Sequence, residues 1–228
     1  MRAVLFDMDG LLVDSEPLWT IGEIELAAHL GGTWSDELKA AIIGTRLDTA
    51  IATILEWYDA PRGQAEVESA MGFLLDRMVE LYRRDLPLMP GAVELIDSVR
   101  AAGAATALVS SSYRVLVDAV LAVIGADRFD TSVAGDEVGQ GKPDPEPYLT
   151  ACKQLAVKPS EAVVLEDAIS GVRSAEAAGC QVVAVPWIAP IDPAPGRYVV
   201  ATLSEITADW LLSVGSSGGV PPNSGQNS

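Results

Sequence analysis

The residues that could do chemistry in this sequence come in small sets, each directly after a short apolar run. Ala3–Phe6 is followed by Asp7-Met8-Asp9-Gly10, Ala105–Val109 by Ser110-Ser111-Ser112, and Ala162–Leu165 by Glu166-Asp167. Lys142 follows a glycine-rich turn after the weaker run Ser132–Ala134. Gathered in one crevice, the carboxylates of Asp7, Asp9, Glu166 and Asp167 would repel and raise one another's pKa unless a cation sat among them. Hard oxygen ligands of this kind suit Mg²⁺. What remains is an anion-binding set: a lysine, hydroxyls and the backbone N–H groups that open a helix at Tyr113. Magnesium and a phosphate group together account for both halves.

Each set also has a plainer reading. Acids after strands often cap helices, and Glu166-Asp167 stands just ahead of a helix near Ser170. Lys142 lies in Gly141-Lys142-Pro143, which is not a P-loop, because Asp136 and Pro143 occupy the positions where that motif needs Gly and Ser or Thr. It is then an anion ligand or a solvated loop lysine. Ser112 and Arg114 either touch substrate or merely start a helix. His29 reads as a helix-surface residue, since nothing nearby in sequence would orient it. What favours chemistry is the joint presence of all the sets at strand ends.

The elements that must position them follow from the same runs. Stretches of four or five Val, Leu and Ala residues, at Ala3–Phe6, Ala105–Val109, Ala162–Leu165 and Val182–Val185, read as strands buried on both faces of a parallel sheet. Helical patterns lie between and around the later ones, at Ala92–Ala102, Val115–Ile124, Pro145–Leu155 and Val172–Ala178, three of them closed by Gly103, Gly125 and Gly179. The alternation predicts an α/β fold with a Rossmann-like parallel sheet, in which ligands bind outside the carboxyl ends of the strands. Residues 15–86 contain no strand-like run and space their apolar residues by three and four, as in Val67, Met71, Leu74, Leu75, Met78, Leu81 and Tyr82. They are expected to form an all-helical module inserted after the first strand, with joints near Asp14–Pro17 and Leu86–Gly91. The core is then residues 1–14 and 87–212, and the Gly-, Ser- and Pro-rich residues 213–228 are expected to be a disordered tail.

Composition excludes other classes. With 32 Asp and Glu against 15 Lys and Arg, a net charge of −17 opposes the phosphate backbones of nucleic acids and anionic membrane surfaces. Two cysteines, Cys152 and Cys180, with one histidine leave neither a zinc spacing nor a disulfide framework. The opening apolar run is too short for a signal peptide. The expectation is a cytoplasmic monomer whose partner is a small molecule.

The series Asp7-Met8-Asp9-Gly10-Leu11, Ser110, Lys142-Pro143 and Glu166-Asp167-Ala168-Ile169-Ser170-Gly171 resembles the four motifs of the haloacid dehalogenase-like phosphohydrolases. The inserted helices resemble the C1-type cap of the β-phosphoglucomutase and sugar-phosphatase branch, and Asp14-Ser15-Glu16-Pro17-Leu18-Trp19 is similar to the sugar and hexitol phosphate phosphatases. The resemblance implies that Asp7 is the nucleophile, taking the phosphoryl group as an aspartyl-phosphate, and Asp9 the general acid and base. It implies that Ser110, the Ser111 backbone N–H and Lys142 hold the phosphate. Mg²⁺ is then bound by Asp7, the Asp9 main-chain carbonyl and Asp167, with Glu166 nearby. The mutases of this branch carry a histidine where this sequence has Trp19, and their cap arginine falls one position away from Arg46. Both departures favour a phosphatase of sugar or polyol phosphates over a hexose-phosphate mutase, with a non-catalytic phosphate-binding module as a third reading. Arg46 is either a ligand for the distal part of the substrate or a solvated helix residue.

Overall fold

In the computed structural model, which describes residues 1–43 and 45–214, each of the apolar runs is a strand of one sheet. The strands are β1 (Ala3–Phe6), β2 (Ala105–Val109), β3 (Thr131–Val133), β4 (Ala162–Glu166), β5 (Gln181–Ala184) and β6 (Arg197–Val199). All pair in parallel, in the order β3-β2-β1-β4-β5-β6. Every residue of β1 and β4 is buried, as expected of strands covered on both faces. The architecture is a Rossmann-like α/β core. Strand order reverses between β1 and β4, which puts the binding crevice of such a sheet at their carboxyl ends.

Register decides which side chains meet there. Phe6 stands opposite Leu108 on one side and Leu165 on the other. Asp7, Val109 and Glu166 are therefore level, and the Asp7 N–H donates to the Leu165 carbonyl at 3.1 Å. The core helices are α5 (Ala92–Ala101), α6 (Arg114–Ile124), α7 (Glu146–Gln154), α8 (Ile169–Ala178) and α9 (Ala208–Ser213). Gly179, at φ +86°, closes α8 in the left-handed conformation that glycine adopts without strain.

The structure corrects the sequence reading in two places. Strand β6 was not expected, because Arg197-Tyr198-Val199 is short and only half buried. The boundary at 212 falls too early: Ser213 belongs to α9 and donates its hydroxyl to the Trp210 carbonyl at 2.7 Å, and Val214 is fully buried. Residues 215–228, where the rest of the expected tail falls, lie outside the described residues. Cys152 and Cys180, distant in sequence, are free thiols hydrogen-bonded to each other in the apolar core.

The chain divides into two units, residues 1–14 with 87–228 and residues 15–86. The second is all helix, with α1 (Glu16–His29), α2 (Asp36–Ile42), α3 (Leu47–Trp57) and α4 (Gln64–Asp85). Gly22 lets α1 approach α4, since a Cβ there would stand 2.9 Å from both Leu74 Cδ1 and Met78 Sδ. Lys39 of α2 is tied to Glu16 at 2.7 Å and Glu23 at 3.0 Å. His29 stacks on Phe73 at 4.4 Å, in keeping with a helix-surface role.

Candidate active site

Lys142 is the hub of the site. Its ammonium, almost fully buried, donates to Asp7 Oδ1 at 2.5 Å, Glu166 Oε1 at 2.6 Å and the Val109 carbonyl at 3.0 Å, which uses all three of its protons. It also lies 5.0 Å from the centre of the Tyr148 ring, and the Tyr148 hydroxyl donates to the same Glu166 oxygen. Burial acts against the ammonium, but Asp7 and Glu166 outweigh it and hold the Lys142 pKa above the ordinary lysine value. The solvated-loop reading of Lys142 is thus overturned by its burial.

Beside this hub lies a second group. Asp9 Oδ2 accepts from the Ser112 hydroxyl at 2.8 Å and the Ser110 hydroxyl at 3.3 Å, while the Ser112 N–H donates to Ser110 Oγ at 2.9 Å. The turn carrying Asp9 depends on Gly10, whose φ is +82° and whose N–H donates to the Val13 carbonyl. A Cβ on Gly10 would stand 2.3 Å from Asp167 Oδ2, so close approach requires glycine as much as the dihedral does. Ser111 is exposed at the head of the loop leading into α6.

Carboxylate oxygens of Asp7, Glu166 and Asp167 lie within 4.8 Å of one another. One lysine does not neutralise three acids. Burial, and next the Glu166 charge, push Asp7 well above the usual carboxylate range, and the same causes lift Asp167 to about 7. A crowded, desolvated set of hard oxygen donors with excess negative charge is what a divalent cation such as Mg²⁺ requires, so the residues present fit the ion.

A pH dependence follows. Folded Asp167 keeps its proton to about pH 7, whereas an ordinary aspartate loses it near 3.8. Its contribution to stability is therefore complete below about pH 4 and lost as pH rises towards 7, by on the order of a few kcal/mol in the metal-free protein. Melting the parent and Asp167→Asn side by side in chelator should show the parent falling behind as pH rises through that window. A gap that does not change with pH would show Asp167 to be ionised throughout.

Two further residues shape the site: Tyr148, which belongs to none of the sequence sets that pointed to it, and Gly171, the last residue of the set that begins at Glu166. Tyr148 fixes Glu166 from inside α7, and its place is set by tertiary packing rather than by any motif. Gly171 stands on α8 where a Cβ would come 1.7 Å from Glu166 Oε1. Helix propensity favours Ala over Gly by about 1 kcal/mol, yet overpacking costs about 1–3 kcal/mol, so Gly171→Ala should destabilise and displace Glu166. A higher melting temperature for that variant would refute the close approach.

The other expected residues fall elsewhere. Arg114 starts α6, and its guanidinium is held by Glu137, Asp118 and Ser132, which makes it structural. Arg46 belongs to the helical unit, half exposed and 3.7 Å from Asp48. Trp19 lies on α1.

Sheet and site define a class: an open α/β protein that gathers carboxylates, a buried lysine and hydroxyls at its switch point, suited to a phosphate and a divalent cation. Comparison with known proteins agrees. The family model of the haloacid dehalogenase-like hydrolases matches residues 1–179. Hexitol phosphatase B of Escherichia coli K12 is 33% identical over 223 residues, covering 92% of this chain and 96% of that protein. The phosphorylated carbohydrates phosphatase of Thermotoga maritima is 31% identical, covering 79% of this chain and 83% of that protein. The crystal structure of CbbY from Rhodobacter sphaeroides in complex with phosphate has a TM-score of 0.81 at 28% identity, covering 90% of this chain and 96% of that one. The chain belongs to the haloacid dehalogenase-like hydrolase family.

Proposed function

We propose that this protein is a Mg²⁺-dependent phosphatase that hydrolyses a small sugar or polyol phosphate monoester through an aspartyl-phosphate on Asp7. The observation that carries the reading is the meeting of Asp7, Lys142, Glu166 and Asp167 at the switch point, with Asp9 beside the Ser110 and Ser112 hydroxyls. The sugar-phosphate class is supported by the hexitol and carbohydrate phosphatases to which the chain is similar.

Asp7 attacks phosphorus, the bond to the leaving oxygen breaks, and the phosphoryl group passes to the carboxylate. A carboxylate needs no base to make it nucleophilic, and dividing the reaction in two lowers each barrier. Lys142 favours the ionised form of Asp7 against its burial and offsets charge on the phosphoryl oxygens. Asp9 donates a proton to the leaving alkoxide, then takes one from the water that attacks the phosphoryl-enzyme, releasing phosphate and restoring Asp7. Ser110 and the Ser111 N–H orient the phosphoryl oxygens. Asp7, the Asp9 carbonyl and Asp167, with Glu166 alongside, would hold Mg²⁺, which would supply charge neutralisation and alignment. Arg46 is one candidate contact for the distal part of the substrate.

Phosphate release from a panel of sugar and polyol phosphates, with Mg²⁺ and with chelator, tests this. We expect metal-dependent release of inorganic phosphate from at least one of them. Phosphorus NMR separates the rival: isomerised hexose phosphate accumulating with little free phosphate would establish a mutase instead. The replacement of the mutase-type histidine by Trp19, which cannot relay a proton, favours hydrolysis.

A further inference from the structure

Beyond the motifs, one large side chain reaches the rim of the site from the far side of the sheet. The loop leaving β5 starts beside the acidic cluster, since the Val185 N–H donates to the Glu166 carbonyl at 2.7 Å. Two residues on, Trp187 turns its indole towards Gly10. A Cβ placed on Gly10 would lie 2.3 Å from Asp167 Oδ2 and 3.5 Å from Trp187 Cδ1. The indole therefore stands next to a proposed metal ligand, at the edge of the turn that carries Asp9.

Trp187 is nevertheless 47% exposed, and its neighbour Ile188 63%. No hydrogen bond from the indole N–H is found among the described residues. Covering Gly10 would take only a small apolar group. A tryptophan with one edge beside the turn of the site and about half of its surface exposed offers more: apolar area for C–H groups and an N–H that can donate to a hydroxyl. The groups that would hold phosphoryl oxygens, Ser110 and Lys142, follow β2 and β3, on the other side of β1. An uncharged indole on the β5 side brings no counter-charge to a phosphate and a large apolar surface to carbon.

We propose that Trp187 is a specificity-determining residue that contacts the carbon skeleton of the leaving group, an inference that rests on the phosphatase reading above. Turnover of glucose 6-phosphate and of acetyl phosphate, whose leaving group has no sugar face, provides the test. In Trp187→Ala the ratio of kcat/KM for the sugar ester to that for the acyl ester should fall about tenfold, through KM, with Trp187→Phe recovering most of it. In the parent, glucose 6-phosphate but not inorganic phosphate should shift tryptophan emission, and the shift should vanish in Trp187→Phe. A ratio that stays constant while both rates fall together would make Trp187 structural and overturn the proposal, as would an emission shift that survives in Trp187→Phe. A parent that hydrolyses acetyl phosphate but no sugar or polyol phosphate of the panel would overturn this inference alone, and one inactive on all of them would overturn the phosphatase reading with it.

Discussion

Asp7→Asn is expected to lower turnover by at least about 10³-fold while leaving the fold intact. The amide has the shape of the carboxylate and can still accept from Lys142, but it cannot take the phosphoryl group. Stability argues the same way. Asp7 is already held well above the usual carboxylate range by burial and by Glu166. Removing its charge relieves that strain in part and gives up part of its attraction to Lys142, so the net change in melting temperature should be small. Steady-state phosphate release, a thermal melt and substrate binding by calorimetry check the three expectations together. Turnover near the parent rate would exclude the covalent route, and unfolding of the variant would show Asp7 to be primarily structural.

The sequence was informative where a physical constraint is local and silent where it is tertiary. β1 and β4 were legible because a strand covered on both faces must be apolar throughout, and Asp7 and Glu166-Asp167 stood out because polarity changes abruptly where such strands end. β6 was not, because an edge strand of three half-buried residues beginning with Arg197 has no pattern to detect. The burial of Lys142 could not be read from Gly141-Lys142-Pro143. It is set by the chain returning over Val109 and by Tyr148, six residues further on. Arg114, also basic and closer in sequence to a strand end, puts its charge on Glu137 and Asp118 instead. Trp187 matters only through what lies opposite it, which no spacing encodes.

Lys142→Met should damage stability and activity by different routes, and the two can be separated. Methionine approximates the length of lysine and keeps an apolar stem, so the loss is chiefly that of the ammonium. Three acceptors are then abandoned: Asp7, Glu166 and the Val109 carbonyl. Breaking a buried ion pair from one side typically costs about 3–5 kcal/mol, because the partner's charge stays behind without compensation. The carboxylates can escape that cost only by taking protons. The destabilisation of Lys142→Met in chelator should accordingly be largest at neutral pH and shrink as pH falls. Mg²⁺, binding the folded state and neutralising the same oxygens, should restore part of it. Activity should fall by at least about 10²-fold even with saturating Mg²⁺, since Asp7 then loses the charge that favours its ionised form and the phosphoryl oxygens lose a counter-charge. The double variant Asp7→Asn with Lys142→Met should be more stable than Lys142→Met alone, because one abandoned charge is gone. Thermal melts of the three variants across pH, with and without Mg²⁺, read all of this. If Lys142→Met melts with the parent at every pH in chelator, the ammonium is not compensating the buried carboxylates, and some other group must hold their charge in the folded protein.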